Sequence, residues 1–561
     1  MQISNLPSTN QYEKLERYFP LALVILCGVV FFYGLGNLPF IGPDEPRYAE
    51  VAREMYVSGD WITTRLGGIK WFEKPALTYW LSALGYSLFG ENEFGARFFI
   101  AVFATLGVFL IFWFGQRIRS LRFGYLSAAA LTTCGLWPGF ARGATFDLPL
   151  AVTMALAMVS FFVWEQREEA EGRNRFWWLM CFALGLAVLA KGLVGLVLPA
   201  AIIGVYLLLT RGLLIVFKPK LLLIGSAIFL ATVSTWYAPM IAINGREFIN
   251  EFFIAHHFQR YLSNKYKHPQ PFYFFFVVAL AGSFPWTFFL ISNVWQSLRN
   301  WRVMLQDRLR LFLWSWVMVT ILFFSFSGSK LPGYVLPIFP AIALLIGLEL
   351  EKFWQAGDDE RMPRLAILTA LLVLITGVAA IFVSQRELGA APGESWLMGI
   401  LTIVIAVIYL AVLFWNDARL ATLVLPFSLI ALIVAATHLV FPALGHRESF
   451  RDLAQTARRM AMTDERLIFF VNEDHGINFY ATDLPLRDTK SELVTTNSPA
   501  NIALMIAASK TKSMLVISRK RWSDGVTNSD KLVTEKLGEH NFNARCSPEC
   551  DWVLLRARRK Q

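Results

Sequence analysis

Charge is what this chain has least of: Asp, Glu, Lys and Arg make up 17% of its 561 residues, against 56% hydrophobic ones. That apolar share exceeds what a soluble core needs, and it arrives in runs near bilayer length, which excludes a soluble or disordered protein. The runs are nearly free of ionisable groups at their centres. A charge there costs roughly 2.5–3.5 kcal/mol, and transporters accept that cost to line a pathway, so the absence argues against a transporter or lipid flippase. No small-residue cleavage site follows the first apolar run, residues 20 to 36, which is therefore read as a retained helix and not a signal peptide. No RNA- or DNA-binding motif is evident. The excess of 52 Lys and Arg over 41 Asp and Glu instead fits orientation signals and contact with anionic membrane lipids.

What is there is a polytopic α-helical membrane protein. Spans are predicted near 20 to 38, 95 to 115, 122 to 139, 147 to 164, 176 to 190, 192 to 210, 221 to 242, 272 to 294, 310 to 327, 333 to 350, 364 to 384, 395 to 415 and 419 to 441. That makes about thirteen helices. The loops RIRSLR (117 to 122), RGLLIVFKPK (211 to 220) and LRNWRVMLQDRLR (298 to 310) are basic. The positive-inside rule places them and the N-terminus in the cytoplasm, and an odd number of spans places residues 445 to 561 outside. Residues 1 to 444 then form a transmembrane domain whose first outer loop is 41 to 93, and 445 to 561 a small α/β domain. Its cues are the helical SFRDLAQTARRMA, a second helical pattern at 500 to 508, and RLIFFV, SMLVIS and DWVLLRA as strands. It carries no phosphate loop or catalytic triad.

Polar residues gather on the outer side at 44 to 74, Arg142 to Asp147, Arg246 to His268, and Lys330 to Tyr334, which points to a site at the outer surface. In IGPDEPRYAEVAREM, Pro46 suits a first helical turn that a carboxylate would cap. Tyr48, Val51, Ala52, Met55 and Tyr56 recur at helical period with Arg47, Glu50, Arg53 and Glu54 opposite, the pattern of a helix lying along the membrane interface. The bland alternative is that Asp44 only caps and the charges are a solvated face. Glu73 and Lys74 precede Pro75 and a charge-free run, at a helix start that favours an anion. Lys330 and Tyr334 flank Pro332 and Gly333, so a turn is expected to present them.

DEPRYAEVAREM, the W-x-E-K-P of 71 to 75 with L-x-Y-W after it, ARGATFDLPLA (141 to 151) and SGSKLPGYVLPIFPA (327 to 341) together resemble the aminoarabinose lipid A transferase family of bacterial lipid-linked glycosyltransferases. That family is related to the protein O-mannosyltransferases and has the GT-C fold. One departure is Ala76, where many members have a second proline. The resemblance implies a transferase of the bacterial inner membrane, with thirteen helices and a periplasmic C-terminal domain. It would move 4-amino-4-deoxy-L-arabinose from undecaprenyl phosphate to lipid A phosphate and so confer polymyxin resistance. The alternatives are mannose or galacturonic acid moved to protein or to lipopolysaccharide core.

Such a reaction needs cations and hydroxyls at interface height to hold a lipid-borne phosphate, and Lys74, Arg47, Tyr48, Arg260, Lys330 and Tyr334 are the candidates. Asp44, Asp147 and Glu73 are the candidate acids. Resemblance gives the first-loop aspartate the role of base for a hydroxyl acceptor, whereas a phosphate acceptor is already ionised and needs none. The carboxylates would then orient it through a metal or bind the donor's amino group. Asp147 opens a helix, so plain capping is its alternative. No cofactor is required by the sequence, although Glu73 with His256 or His257 offers oxygen and nitrogen ligands for Zn²⁺. Of the five cysteines, Cys27, Cys134 and Cys181 fall in spans, while Cys546 and Cys550 lie in ARCSPECDW, where an oxidising compartment would close them into a disulfide.

The alternation of loops makes a direct prediction. A tag at the C-terminus is cut by protease added to the outer face, and one in LRNWRVMLQDRLR is protected. Both tags on one side would overturn the placement of the site.

Overall fold

The computed structural model describes residues 16–167, 172–252, 269–355, 361–388, 392–415, 417–471, 475–486, 493–509, 511–540 and 551–560. The apolar runs are helical within it, as they must be where only the chain itself can satisfy backbone N–H and C=O groups. Among the described residues, 8 helices are long and apolar enough to cross a membrane. This is fewer than the thirteen runs because some helices, such as Phe19–Phe32 and Val194–Leu209, are shorter and two runs are divided. The run 122 to 139 is split into Leu121–Thr133 and Leu136–Ala141, and 272 to 294 into Phe274–Gly282 and Thr287–Arg299. The chain is a multi-pass membrane protein.

Six helices position the polar residues singled out in the sequence: α1 (Asp44–Ser58), α2 (Leu77–Phe89), α3 (Glu93–Ile118), α4 (Asp147–Gln166), α5 (Asn174–Lys191) and α6 (Pro219–Phe248). Between α1 and α2 a short hairpin, β1 (Arg65–Leu66) against β2 (Ile69–Lys70), turns the chain back towards Glu73. The apolar stripe of α1 packs as its period predicts: Ala49, Val51, Ala52 and Met55 join Phe40, Tyr79, Tyr86 and Phe146 in one cluster.

The opposite face of α1 corrects the solvated-face reading. Glu50 is 0% exposed and Arg53 8%. Their bidentate pair, at 2.8 and 2.7 Å, is completed by Asn478 Nδ2, which donates to Glu50 Oε1 from α7 (His475–Tyr480). Glu54 accepts the amide of Gly68. Both faces of α1 are therefore covered. Periodicity marks the apolar side of a helix but says nothing of a polar partner 428 positions away.

The helix of that partner directly follows the first strand of a mixed sheet near the C-terminus, ordered β4-β3-β5-β7-β6, with β3 Leu467–Phe470, β4 Thr495–Thr496, β5 Ser513–Arg519, β6 Leu532–His540 and β7 Trp552–Arg559. β3 runs parallel to β4 and β5, and β7 antiparallel to β5 and β6. Alternate residues serve two cores: Leu467, Phe469, Leu515 and Ile517 face one side, Ile468, Phe470, Met514 and Val516 the other. This period of two explains why the central strands read as unbroken apolar runs. The helical SFRDLAQTARRMA is Arg451–Met460, and the pattern at 500 to 508 is Pro499–Ala508. Cys546 and Cys550 lie outside the described residues.

Glu45 and Arg97 fix the start of α1. Arg97 Nε and Nη2 donate to the two oxygens of Glu45 at 2.7 and 2.8 Å, and Glu45 also accepts the amide of Ala144 at 2.9 Å. Both side chains are buried. Removing one partner of such a pair leaves an uncompensated charge, at a cost of about 3–5 kcal/mol. Arg97→Met is expected to lower the melting temperature in detergent sharply, and Glu45→Gln with Arg97→Met to recover part of the loss. A single variant that melts with the wild type would refute this account.

Candidate functional site

α1 has Pro43 before it and no side-chain cap, so Asp44 does not serve as the expected cap. Its side chain is 51% exposed and lies 3.3 Å from Arg47 Nη1, one helical turn on. Arg47 Nη1 also stands 3.8 Å from Glu73 Oε2, and Glu73 Oε1 accepts from Lys74 Nζ at 2.9 Å. The result is a row of alternating sign, Asp44, Arg47, Glu73, Lys74, whose formal charges cancel. Arg47 further lies over the ring of Trp71. Glu73 and Lys74 sit just ahead of α2, as Pro75 led us to expect.

Tyr48 links this row to the second half of the site. Its ring meets Phe146 edge-on, with centroids 4.6 Å apart, and Phe146 meets Tyr79 in the same way. Phe146 directly precedes Asp147, so α1 is packed against the start of α4. Burial pushes the Tyr48 phenol well above its ordinary value, and the carboxylates of Asp44 and Glu73 raise it further. The group therefore remains a neutral hydrogen-bond donor at any physiological pH.

Asp147 opens α4 without capping it. Its carboxylate instead accepts from Lys191 Nζ, at the end of α5, and Lys191 lies 4.9 Å over the ring of Tyr334. The plain-capping alternative thus fails for Asp147 as it does for Asp44. Tyr334 stands in the 3₁₀ turn Pro332–Ile338, in accord with the turn expected there. Gly333 is required by proximity: a Cβ at this position would lie 2.7 Å from Asp147 Cγ. Lys330 is 8% exposed, and its Nζ donates to the carbonyl of Ser327 at 2.8 Å. Among the described residues no carboxylate pairs with it.

The structure therefore joins Asp44, Arg47, Glu73 and Lys74 in one group, and Asp147 and Tyr334 through Lys191 in another. Lys191, Glu45 and Arg97 were missed by sequence reasoning. Lys191 had a signal, being a lone cation between two apolar runs. Arg260, His256 and His257 lie outside the described residues. Glu73, the oxygen ligand suggested for zinc, faces two cations, Lys74 and Arg47, a setting that opposes a dication. No group of three or more His, Cys, Asp or Glu among the described residues could hold a metal.

The fold is of the GT-C class of membrane glycosyltransferases. It superposes on the crystal structure of ArnT from Cupriavidus metallidurans bound to undecaprenyl phosphate with a TM-score of 0.78, at 23% identity, covering 95% of this chain and 97% of that one. The archaeal oligosaccharyltransferase AglB from Archaeoglobus fulgidus matches at 0.50 and 12% identity, over 90% and 69% of the two chains. Residues 73–238 match the family described as dolichyl-phosphate-mannose-protein mannosyltransferase.

The resemblance drawn from the four motifs is borne out by curated relatives. The undecaprenyl phosphate-alpha-4-amino-4-deoxy-L-arabinose arabinosyl transferase of Aeromonas hydrophila is 30% identical over 370 residues, 65% of this chain and 66% of that protein. The protein of the same name from Pseudomonas aeruginosa is 29% identical over 65% of each. The chain thus aligns with about two thirds of the length of the curated relatives it matches.

The close approach of Gly333 to Asp147 yields a prediction independent of the group transferred. Gly333→Ala pushes the carboxylate away from Lys191 without removing a charge. Turnover is expected to fall by about 10²-fold, the usual consequence of a displacement near 1 Å, with normal insertion. Wild-type turnover in an inserted variant would show that the Asp147 position is not used.

Proposed function

We propose that this chain is a glycosyltransferase of the bacterial inner membrane that moves 4-amino-4-deoxy-L-arabinose from undecaprenyl phosphate to a lipid A phosphate at the periplasmic face. In this reading the chain crosses the bilayer about thirteen times and carries its C-terminal sheet outside. The observation that carries the proposal is the alternating row Asp44, Arg47, Glu73, Lys74 beside the Asp147–Lys191 pair, in a fold shared with a protein crystallised on undecaprenyl phosphate.

The chemistry follows from the charges. An oxygen of the acceptor phosphate forms the new bond to the sugar's anomeric carbon, and the old bond to the donor phosphate breaks, its electron pair leaving on undecaprenyl phosphate. No proton has to move, because a phosphate acceptor is already ionised. What the reaction needs is positive charge on the leaving phosphate as it develops. Among the described residues Lys330 has only a carbonyl to release, and Lys74 and Arg47 are held by the buried carboxylate of Glu73, which keeps them placed before the lipid arrives. The neutral phenol of Tyr48 donates without adding charge, and the hydroxyl of Tyr334, whose ring lies beside Lys191, is a further donor. Asp44, half-exposed beside this row, is suited to hold the ammonium group of an amino sugar.

A second reading keeps the fold and changes the sugar or the acceptor. The match of residues 73–238 to a mannosyltransferase family favours it. A hydroxyl acceptor would require a base, and Asp44 would then fill that role.

The test is the mass spectrum of lipid A from cells with and without the chain. A gain of aminoarabinose supports the first reading, and an unchanged spectrum with sugar on another acceptor supports the second. In either case Asp44→Asn preserves size and should cost 10²-fold or more, as lost charged groups usually do. A fully active, normally inserted Asp44→Asn protein would remove Asp44 from the site.

A further inference from the structure

At the far end of α4 the chain holds a cavity that takes no part in the site just described. α4 runs 20 residues from Asp147 to Gln166, so its last turn lies about 30 Å from the Asp147 carboxylate, the thickness of a hydrocarbon core. There a cavity of about 300 Å³ opens between the end of α4 and the starts of α5 and α6. Arg173, Lys218 and Lys220 line it with Asn174, Trp164 and Trp178.

Three features of this cavity bear on what it takes. Its polar wall is cationic. Arg173, Lys218 and Lys220 carry that charge, and among the described residues no acidic side chain lines the cavity. Neither α5 nor α6 has a side-chain cap, and Arg173 and Lys218 are the residues at which these helices begin, so the positive ends of both helix dipoles add to the attraction for an anion. Finally, the walls continue as apolar surface: Trp178, Leu179 and Phe182 on α5 and Leu222 and Leu223 on α6 are exposed large hydrophobics, turned to where lipid chains would lie. A polar, cationic head space that leads into an apolar track fits an amphiphile with an anionic head. Tryptophan at this height is typical of the headgroup boundary.

We propose that this cavity is a binding site for an anionic phospholipid, whose phosphodiester is held by Lys218, Lys220 and Arg173 and whose acyl chains lie along α5 and α6. The site lies on the side of the basic loops, opposite the catalytic face, and is separate from the sugar donor's. Its occupant differs from the donor in class, since among the described residues the lining holds no carboxylate to pair with the ammonium group of an amino sugar. α5 and α6 are joined beside the cavity, where Trp177 Nε1 donates to the carbonyl of Leu221, a lining residue, at 3.0 Å.

The experiment uses the full chain purified in a neutral detergent. Native mass spectrometry and thermal melting are followed with added phosphatidylglycerol, with phosphatidylcholine of the same acyl chains, and with glycerol 3-phosphate. Phosphatidylglycerol is expected to remain bound and raise the melting temperature, and the other two to do neither. Lys218→Gln with Lys220→Gln should weaken phosphatidylglycerol binding by about tenfold or more, while Lys218→Arg with Lys220→Arg should retain it. Equal retention of both lipids by the wild type, undiminished phosphatidylglycerol binding by the glutamine variant, or equal protection by glycerol 3-phosphate would each overturn the proposal.

Discussion

One guanidinium holds the site end of this molecule together. Arg97 has five N–H donors and uses them on the two oxygens of Glu45 and on the carbonyls of Leu35, Leu38 and Pro39. Those carbonyls belong to the chain leaving the first apolar run, where no helix satisfies them. Glu45 in turn accepts the amide of Ala144, three residues before Asp147. The exit of the first run, the start of α1, the body of α3 and the approach to α4 therefore meet on one ion pair. In an interior of low dielectric such a pair adds little to stability in itself. Its geometry is what matters, because a planar fork admits one arrangement of the four segments.

The pair also explains how neighbouring acids come to differ. Asp44 and Glu45 are adjacent at the start of α1, yet Glu45 turns inward to Arg97 and is buried while Asp44 remains half-exposed beside Arg47. Two residues of the same charge cannot both enter the same pocket. The longer side chain reaches Arg97, and the shorter one is left at the rim, facing Glu73 across Arg47. A motif that reads as a block of charge is thus divided by one helical step into a structural half and an outward half.

Much of this was legible in the sequence, and the reasons it stopped are physical. Apolar runs of bilayer length admit one structure in lipid, so the helices could be placed without partners. The row Asp44, Arg47, Glu73 and Lys74 was legible because its members fall in short polar stretches that an apolar chain has no other reason to carry. Arg97 was not, since it stands at the mouth of a long span and its partner is 52 positions away. The covering of Glu50 and Arg53 by Asn478 was invisible for the same reason. Spacing reports what a helix does to its own side chains, and these contacts come from elsewhere in the chain.

The same contacts assign two helices of the C-terminal region, α7 and Arg451–Met460, a physical part in the site. Asn478 holds Glu50, Tyr480 Oη donates to Glu93 and accepts the amide of Phe40, and Arg451 pairs with Glu93. Phe479 packs on Phe40 and Tyr86. α7 is thus wedged against α1 on the side away from Tyr48 and Phe146. A helix with only its apolar stripe in contact would be free to roll about its axis, and a roll would carry Asp44 and Arg47 away from Glu73. Contact on both faces removes that freedom. The charged face of α1, which in a solvated helix would contribute nothing to the position of Asp44, here determines it.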